Sequence, residues 1–221
     1  MGGSMAGSMA GSMGGSMGGG ADYPDVVQKV TTGPQLGEPL PIELANATYA
    51  VRGRPQDGLR TVEQLALWLE GVNGRLPVPL SKSVLRSVDE ADLERARELR
   101  EAVRSIAACA VRGARPPQAA LDMLNERAAA APCWRELRWE KSPASALQHD
   151  GPPVTAVLAS IAQGAVDLFA GPGLDDLRAC HGPGCVLFFV KDHPRREWCS
   201  AACGNRARAA RHYARVREQK A

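Results

Sequence analysis

Four cysteines near the C-terminal end constrain this chain more than any other feature. Cys180, Cys185, Cys199 and Cys203 follow a C-x4-C-x13-C-x3-C spacing. Two close pairs separated by a hairpin-sized gap form the pattern of a tetrahedral zinc site, because thiolates are soft ligands that also balance the ion's charge. Gly182, Pro183 and Gly184 lie between the first pair and permit the tight turn that brings two sulfurs together. Cys199 and Cys203 are four apart, one turn on one face of a helix. Val186 to Val190 reads as a strand leaving this knuckle, and Lys191 to Arg196 as a polar turn that reverses the chain. Ser200 to Arg217, rich in Ala and Arg, reads as a helix. The expected unit is a treble-clef-like finger of knuckle, hairpin and helix around one structural Zn2+. Disulfides or buried thiols are the alternatives, and His181 inside the knuckle is a spare ligand that four thiolates make unnecessary.

The charge of the chain is distributed unevenly. From Arg178 onward there are 10 Lys+Arg against 3 Asp+Glu, whereas the rest has 17 against 21. A tail at +7 on a body at −4 suits a polyanion as partner of the tail. At about 100° per residue, Cys199, Cys203, Ala210 and Ala214 share one sector of the last helix, expected to hold metal and pack. Arg208, Arg211 and Arg215 share roughly the opposite one. The alternative is a solvated, arginine-rich helix end.

The run Trp198-Cys199-Ser200 followed by Cys203-Gly204-Asn205-Arg206 resembles the CGNR zinc finger family, which is named for those last four residues. The preceding chain is similar to the ABATE domain, through Ile42 to Thr48, Glu98 to Val103, Leu124-Asn125 and the helix-like Val154 to Phe169, in that order. The resemblance spans about residues 36 to 217. It implies a bacterial transcription regulator, in some members stress-related. With the break at Gly171-Pro172-Gly173, three regions are expected: a leader over 1–35, an ABATE-like, mainly helical domain over 36–173, and a finger over 174–221.

The body reads as α+β, mostly helical with a small β-hairpin. Residues 1–20 repeat Gly, Ser and Met, cannot build a core and are expected to be disordered, with a poorly patterned approach segment over 21–38. Pro41 to Arg52 is ambiguous between helix and strand, and the resemblance favours helix; residues 53–60 read as a loop. Thr61 with Gln64 predicts a capping box that opens a helix carrying Val62, Leu65, Trp68, Leu69 and Val72. Leu76 to Ser83 reads as a connector. Asp89 to Arg112 is the expected longest helix, with a stripe of Leu93, Ala96, Leu99, Val103, Ile106 and Ala110 and Glu–Arg pairs on its wet side. Cys109 reads as a small core residue there and Cys133 as a partly buried thiol. A helix over about 117–130, a hairpin of Trp134 to Trp139 with Ser145 to Gln148, and a helix from Pro153 to Phe169 complete the body.

No stretch is expected to reach the ~18 to 20 apolar residues of a membrane span. The N-terminus lacks the basic start and apolar core of a secretory signal, so a cytoplasmic, nucleoid-associated location is expected. The leading expectation is a DNA-binding transcription regulator and not an enzyme. Four thiolates leave zinc no open position for substrate, and the sequence holds no phosphate loop or nucleophile elbow. Arg208, Arg211 and Arg215 are expected at DNA, Arg195 and Arg196 at phosphates, and Arg206 at DNA, at the cysteines or at the body. Asn46 and Arg100 mark a candidate pocket for a small-molecule effector in a sensing or oligomerising body. The alternative is a module that binds protein instead of DNA.

Overall fold

The computed structural model describes residues 31–219; residues 1–30, with the Gly/Ser/Met repeat expected to be disordered, and the last two residues lie outside them. Among the described residues the chain forms seven α-helices and three two-stranded antiparallel sheets. Thr31 to Gln35, grouped with the leader on sequence, bind the body: the Gln64 side chain donates to the Thr31 carbonyl, and Gln35 donates to that of Trp68.

Pro41 to Arg52 divides into both of its readings. α1 (Leu40–Ala45) ends at Asn46, and β1 (Thr48–Val51) follows. The expected loop after it contains β2 (Arg54–Asp57), paired with β1 through a two-residue turn. Both turn residues, Arg52 and Gly53, have positive φ (51° and 77°), the backbone of a hairpin turn that follows strand twist. Arginine at the first position hid this turn from a sequence reading.

α2 (Val62–Val72) opens with the Thr61–Gln64 capping box and buries Leu65, Trp68, Leu69 and Val72. The proline-rich connector ends in a short helix, α3 (Lys82–Arg86), capped by Ser81. α4 (Glu90–Ala110) is the long central helix, started by an Asp89–Asp92 capping box, with Leu93, Ala96, Leu99, Val103 and Ile106 buried. Its polar side is less uniform than the alternating charges suggest. Arg97 pairs with Glu94, but Glu98 pairs with Arg127 of α5 (Gln118–Ala129), and Arg104 reaches elsewhere altogether. Cys109 is half-buried beside Arg112 instead of lying in the core.

β3 (Cys133–Trp139) and β4 (Pro143–His149) form the expected hairpin, in register Cys133 opposite His149 to Trp139 opposite Pro143. Cys133 is half-buried, its thiol donating to Gln163. α6 (Pro153–Ala170) has the length and apolar composition of a membrane span, contrary to the sequence expectation. Its apolar residues, Val157, Leu158, Ile161 and Ala162 among them, pack in the core with α2 and α4, the position of a core helix in a globular body.

β5 (Leu177–Ala179) pairs with β6 (Phe188–Val190), and α7 (Ala201–Glu218) follows a Ser200 cap. The expected hairpin was to follow the knuckle, with its turn at Lys191 to Arg196. The observed hairpin instead encloses the knuckle: its strands lie on either side of Cys180 to Cys185. β5 lies ahead of the cysteine pattern, which is why the pairing was not legible from that pattern.

Candidate metal centre and basic helix

The knuckle is a continuation of the β5–β6 ladder. The Cys180 amide donates to the Leu187 carbonyl at 2.8 Å and the Cys185 amide to that of Gly182 at 2.8 Å. Gly184 takes φ +69°, open to glycine at little cost. Gly182 is forced by proximity, since a Cβ there would stand 2.9 Å from the Cβ of Cys203. On the other side, the Ser200 side chain accepts from the Cys203 amide, fixing the first turn of α7 so that Cys199 and Cys203 face the knuckle.

These turns bring the four sulfurs within 4.8 Å of one another, with Cys180, Cys199 and Cys203 buried and Cys185 half-buried. The Cys185–Cys199 and Cys199–Cys203 sulfur separations are 3.8 and 3.4 Å. A tetrahedron of Zn–S bonds of about 2.3 Å sets its sulfurs about 3.8 Å apart, so the donor set fits Zn2+. Cys180, Cys185 and Cys199 are too close together to ionise on their own at the same time. Hydrogen bonds from Cys185 and Cys199 hold Cys180 well below the ordinary thiol range. In turn Cys180 pushes Cys185 up to about 11, and Cys180 and then Cys185 raise Cys199. A divalent cation removes that conflict by balancing the thiolate charge. Arg206 adds a further positive group, its guanidinium 3.0 Å from the Cys203 sulfur.

The cysteine cluster packs into the body. Leu36 and Tyr49 lie against it with Leu187, Phe189 and Trp198. Asn46 is fully buried and binds both backbone groups of Phe188: its amide donates to the carbonyl at 2.9 Å, and its oxygen accepts from the N–H at 2.9 Å. It acts as one more pairing partner for β6. Arg104 donates to the Ala45, Thr48 and Val186 carbonyls and stands over the Phe188 ring. Glu38, 2 % exposed, accepts from the Val190 amide and from Arg196. Ile42 and Ala107 of the body share an apolar cluster with Leu177 and Phe188 of the finger.

The Asn46 side chain is committed to the finger, with both of its amide atoms occupied by Phe188. Arg100 is buried too, bound to Asp57 and Glu101. Burial pushes the Asp57 carboxyl up, but the hydrogen bonds from Arg100 and the Leu59 amide outweigh it and leave Asp57 below its usual range. Arg196 also donates to the Val190, Trp198 and Cys199 carbonyls and lies over the Phe189 ring. Sequence reasoning missed Arg104 and Glu38 because nothing local distinguishes them from surface charges.

α7 divides sharply. Cys203, Gly204 and Ala207 are buried, and a Cβ on Gly204 would stand 3.0 Å from the Trp198 ring. Beyond Ala207 the helix is exposed nearly all round, so Ala210 and Ala214 do not pack as expected. Arg208, Arg211 and Arg215 do share one side: with Ala214 they line an open groove of about 560 Å³. Arg208 donates to Asn205, one turn back. Arg195 is exposed beside His193, whose ring accepts from its backbone amide.

Family models match both parts of the chain. ABATE, described as "Putative stress-induced transcription regulator", covers residues 38–172, well over half of the sequence. The chain belongs to the ABATE family. The CGNR zinc finger model covers residues 177–216. No curated protein matches the chain. In this ABATE protein the cysteine cluster is therefore a zinc finger carrying one structural Zn2+. The CGNR residues have separate tasks: a sulfur donor at Cys203, close approach at Gly204, a bond to Arg208 at Asn205, and a cation on the sulfur at Arg206. Both matches are to regulator and zinc-finger families rather than enzyme families.

Proposed function

We propose that the protein is a DNA-binding transcription regulator in which Cys180, Cys185, Cys199 and Cys203 hold the zinc and the exposed half of α7 meets DNA. The observation that carries this reading is the arginine row. Arg208, Arg211 and Arg215 lie together on a helix that extends past the packed part of the molecule. An arginine fork binds phosphate, or the O6/N7 edge of guanine, bidentately. Arg195 adds a phosphate contact, whereas Arg206 holds its guanidinium on the Cys203 sulfur and Arg196 is enclosed by finger carbonyls and Glu38. When bound, zinc supplies folding free energy to a unit of roughly 40 residues, too small to be held by its own core.

The three domains act in this reading as a leader, a body that fixes the finger's orientation, and the DNA-facing finger, in the cytoplasm at the nucleoid. The effector role moves from Asn46 and Arg100 to a 420 Å³ cavity between α4 and the knuckle. Arg112, Arg178 and His181 at its lining suit a small anion.

The test is binding of zinc-loaded protein to labelled genomic fragments over a series of salt concentrations. Neutralising three to five phosphates makes log affinity fall with log salt at a slope of roughly −3 to −5. Affinity without salt dependence contradicts the reading. Absence of binding together with capture of a protein after nuclease treatment favours the protein-module alternative.

A further inference from the structure

The β3–β4 ribbon carries apolar surface for which neither the metal centre nor the basic helix has a use. Its strands pair with each other and with no third strand among the described residues. At the base, Cys133, Leu147 and His149 sit against α6 at Ala156, Val157 and Ser160. Toward the tip this support ends. Trp134 is 52 % exposed, Leu137 71 % and Trp139 73 %, so two of the chain's four tryptophans stand in water on one ribbon. Exposed tryptophan beside arginine is the composition of a protein interface, and an isolated two-stranded hairpin is at best marginally stable.

The ribbon also specifies what covers it. β4 begins with Pro143, which cannot donate to a ladder, whereas β3 has no proline and offers an open edge. The β3 sequence is complementary to itself about Leu137. In an antiparallel pair of β3 strands with Leu137 opposite its own copy, Glu136 stands opposite the partner's Arg138, and Arg138 opposite the partner's Glu136. On the other face Arg135 stands opposite the partner's Trp139, a cation–π pairing, and the two leucines meet between them. Glu136 and Arg138 already pair within one strand at 3.0 Å, and Gln148 donates to the same Glu136 oxygen at 2.9 Å. A second chain therefore extends an existing charge pair into an alternating quartet.

We propose that β3 is a self-association edge: two chains join through antiparallel β3 strands into one four-stranded sheet of order β4-β3-β3-β4. The occupant is a second copy, because the same short segment supplies both signs of charge and both apolar partners in the order a two-fold axis requires. The contact is confined to one short strand, so a reversible monomer–dimer equilibrium is expected. This association is independent of what α7 binds.

Sedimentation velocity of the full zinc-loaded chain, over a wide concentration range, tests it. Wild type is expected to show a monomer–dimer equilibrium. Glu136→Arg puts arginine at both 136 and 138, and Arg138→Glu puts glutamate at both, so like charges face each other across the pair and each variant alone is expected to self-associate at least about tenfold more weakly. An equimolar mixture of the two variants restores the pairing, Arg against Glu on both sides, and is expected to sediment as heterodimer. Restoration in trans cannot arise from the ion pair within one chain. Both residues are solvent-exposed, and unchanged zinc content and melting temperature confirm intact folding; Trp139→Ala provides a second, uncharged route to weaker association. Wild type that stays monomeric throughout, or a mixture no more associated than its components, overturns the proposal. Failure of DNA binding leaves this result unaffected.

Discussion

The body–finger junction and the outer half of α7 are built from the same residue type put to opposite uses. At the junction, Arg104 and Arg196 are surrounded by carbonyls, aromatic rings and, for Arg196, the buried Glu38 carboxylate. In outer α7, Arg208, Arg211 and Arg215 stand side by side in water. A guanidinium enclosed by protein acceptors fixes the orientation of one part on another. The same group without such a shell keeps its donors for an external anion. The zinc finger is thus not a bead on a string: it is locked to the body at its root and exposed at its far end.

Removal of zinc is the strongest way to break that contrast. The free energy of structural zinc sites is of order 10 kcal/mol. Chelation, or Cys203→Ser, is expected to unfold residues 177–207 and to loosen Leu36 and Tyr49, which pack on the cluster. Hydrogen exchange is the measurement. Loss of protection confined to the finger, with these body contacts unchanged, would mean that the junction is weaker than its bonds suggest.

Asn46→Ala comes next. It strands a buried N–H and a buried carbonyl of Phe188, and is expected to cost about 2 to 4 kcal/mol in urea unfolding of the zinc-loaded protein. Gly204→Ala places a methyl group against the Trp198 ring and is expected to cost about 1 to 3 kcal/mol while zinc stoichiometry persists. Asp57→Asn is the smallest. The Asp57 carboxyl sits below its ordinary range, so its contribution is present at neutral pH and fades as pH falls through that lowered value. The group is partly exposed, so solvent screening holds the loss to about 1 kcal/mol or less. The variant is expected to show a flatter dependence of melting temperature on pH in the acid range.

The sequence made the local features legible and left the long-range ones hidden. The capping box at Thr61, the start of α4 at Asp89 with its apolar stripe, and the four-sulfur cluster rest on short spacings, and each is present in the structure. The pairing of β5 with β6 across the knuckle and the Asn46–Phe188 lock join residues that no spacing relates. The same limit explains Ala210 and Ala214. Helical periodicity gives the side of a helix on which a residue lies, but not whether a neighbour is there to cover it, and α7 outruns its neighbours after Ala207.

The most direct test of the contrast is a paired measurement of DNA-binding salt slope and unfolding free energy on two variants. Arg208→Ala/Arg211→Ala/Arg215→Ala is expected to make the slope shallower by about three and to leave stability within about 0.5 kcal/mol of wild type. Arg196→Ala is expected to leave the slope unchanged and to lower stability by about 1 to 3 kcal/mol, because Glu38 is left buried without its cation. The reverse pattern, or a triple variant that binds with the wild-type slope, would contradict the account.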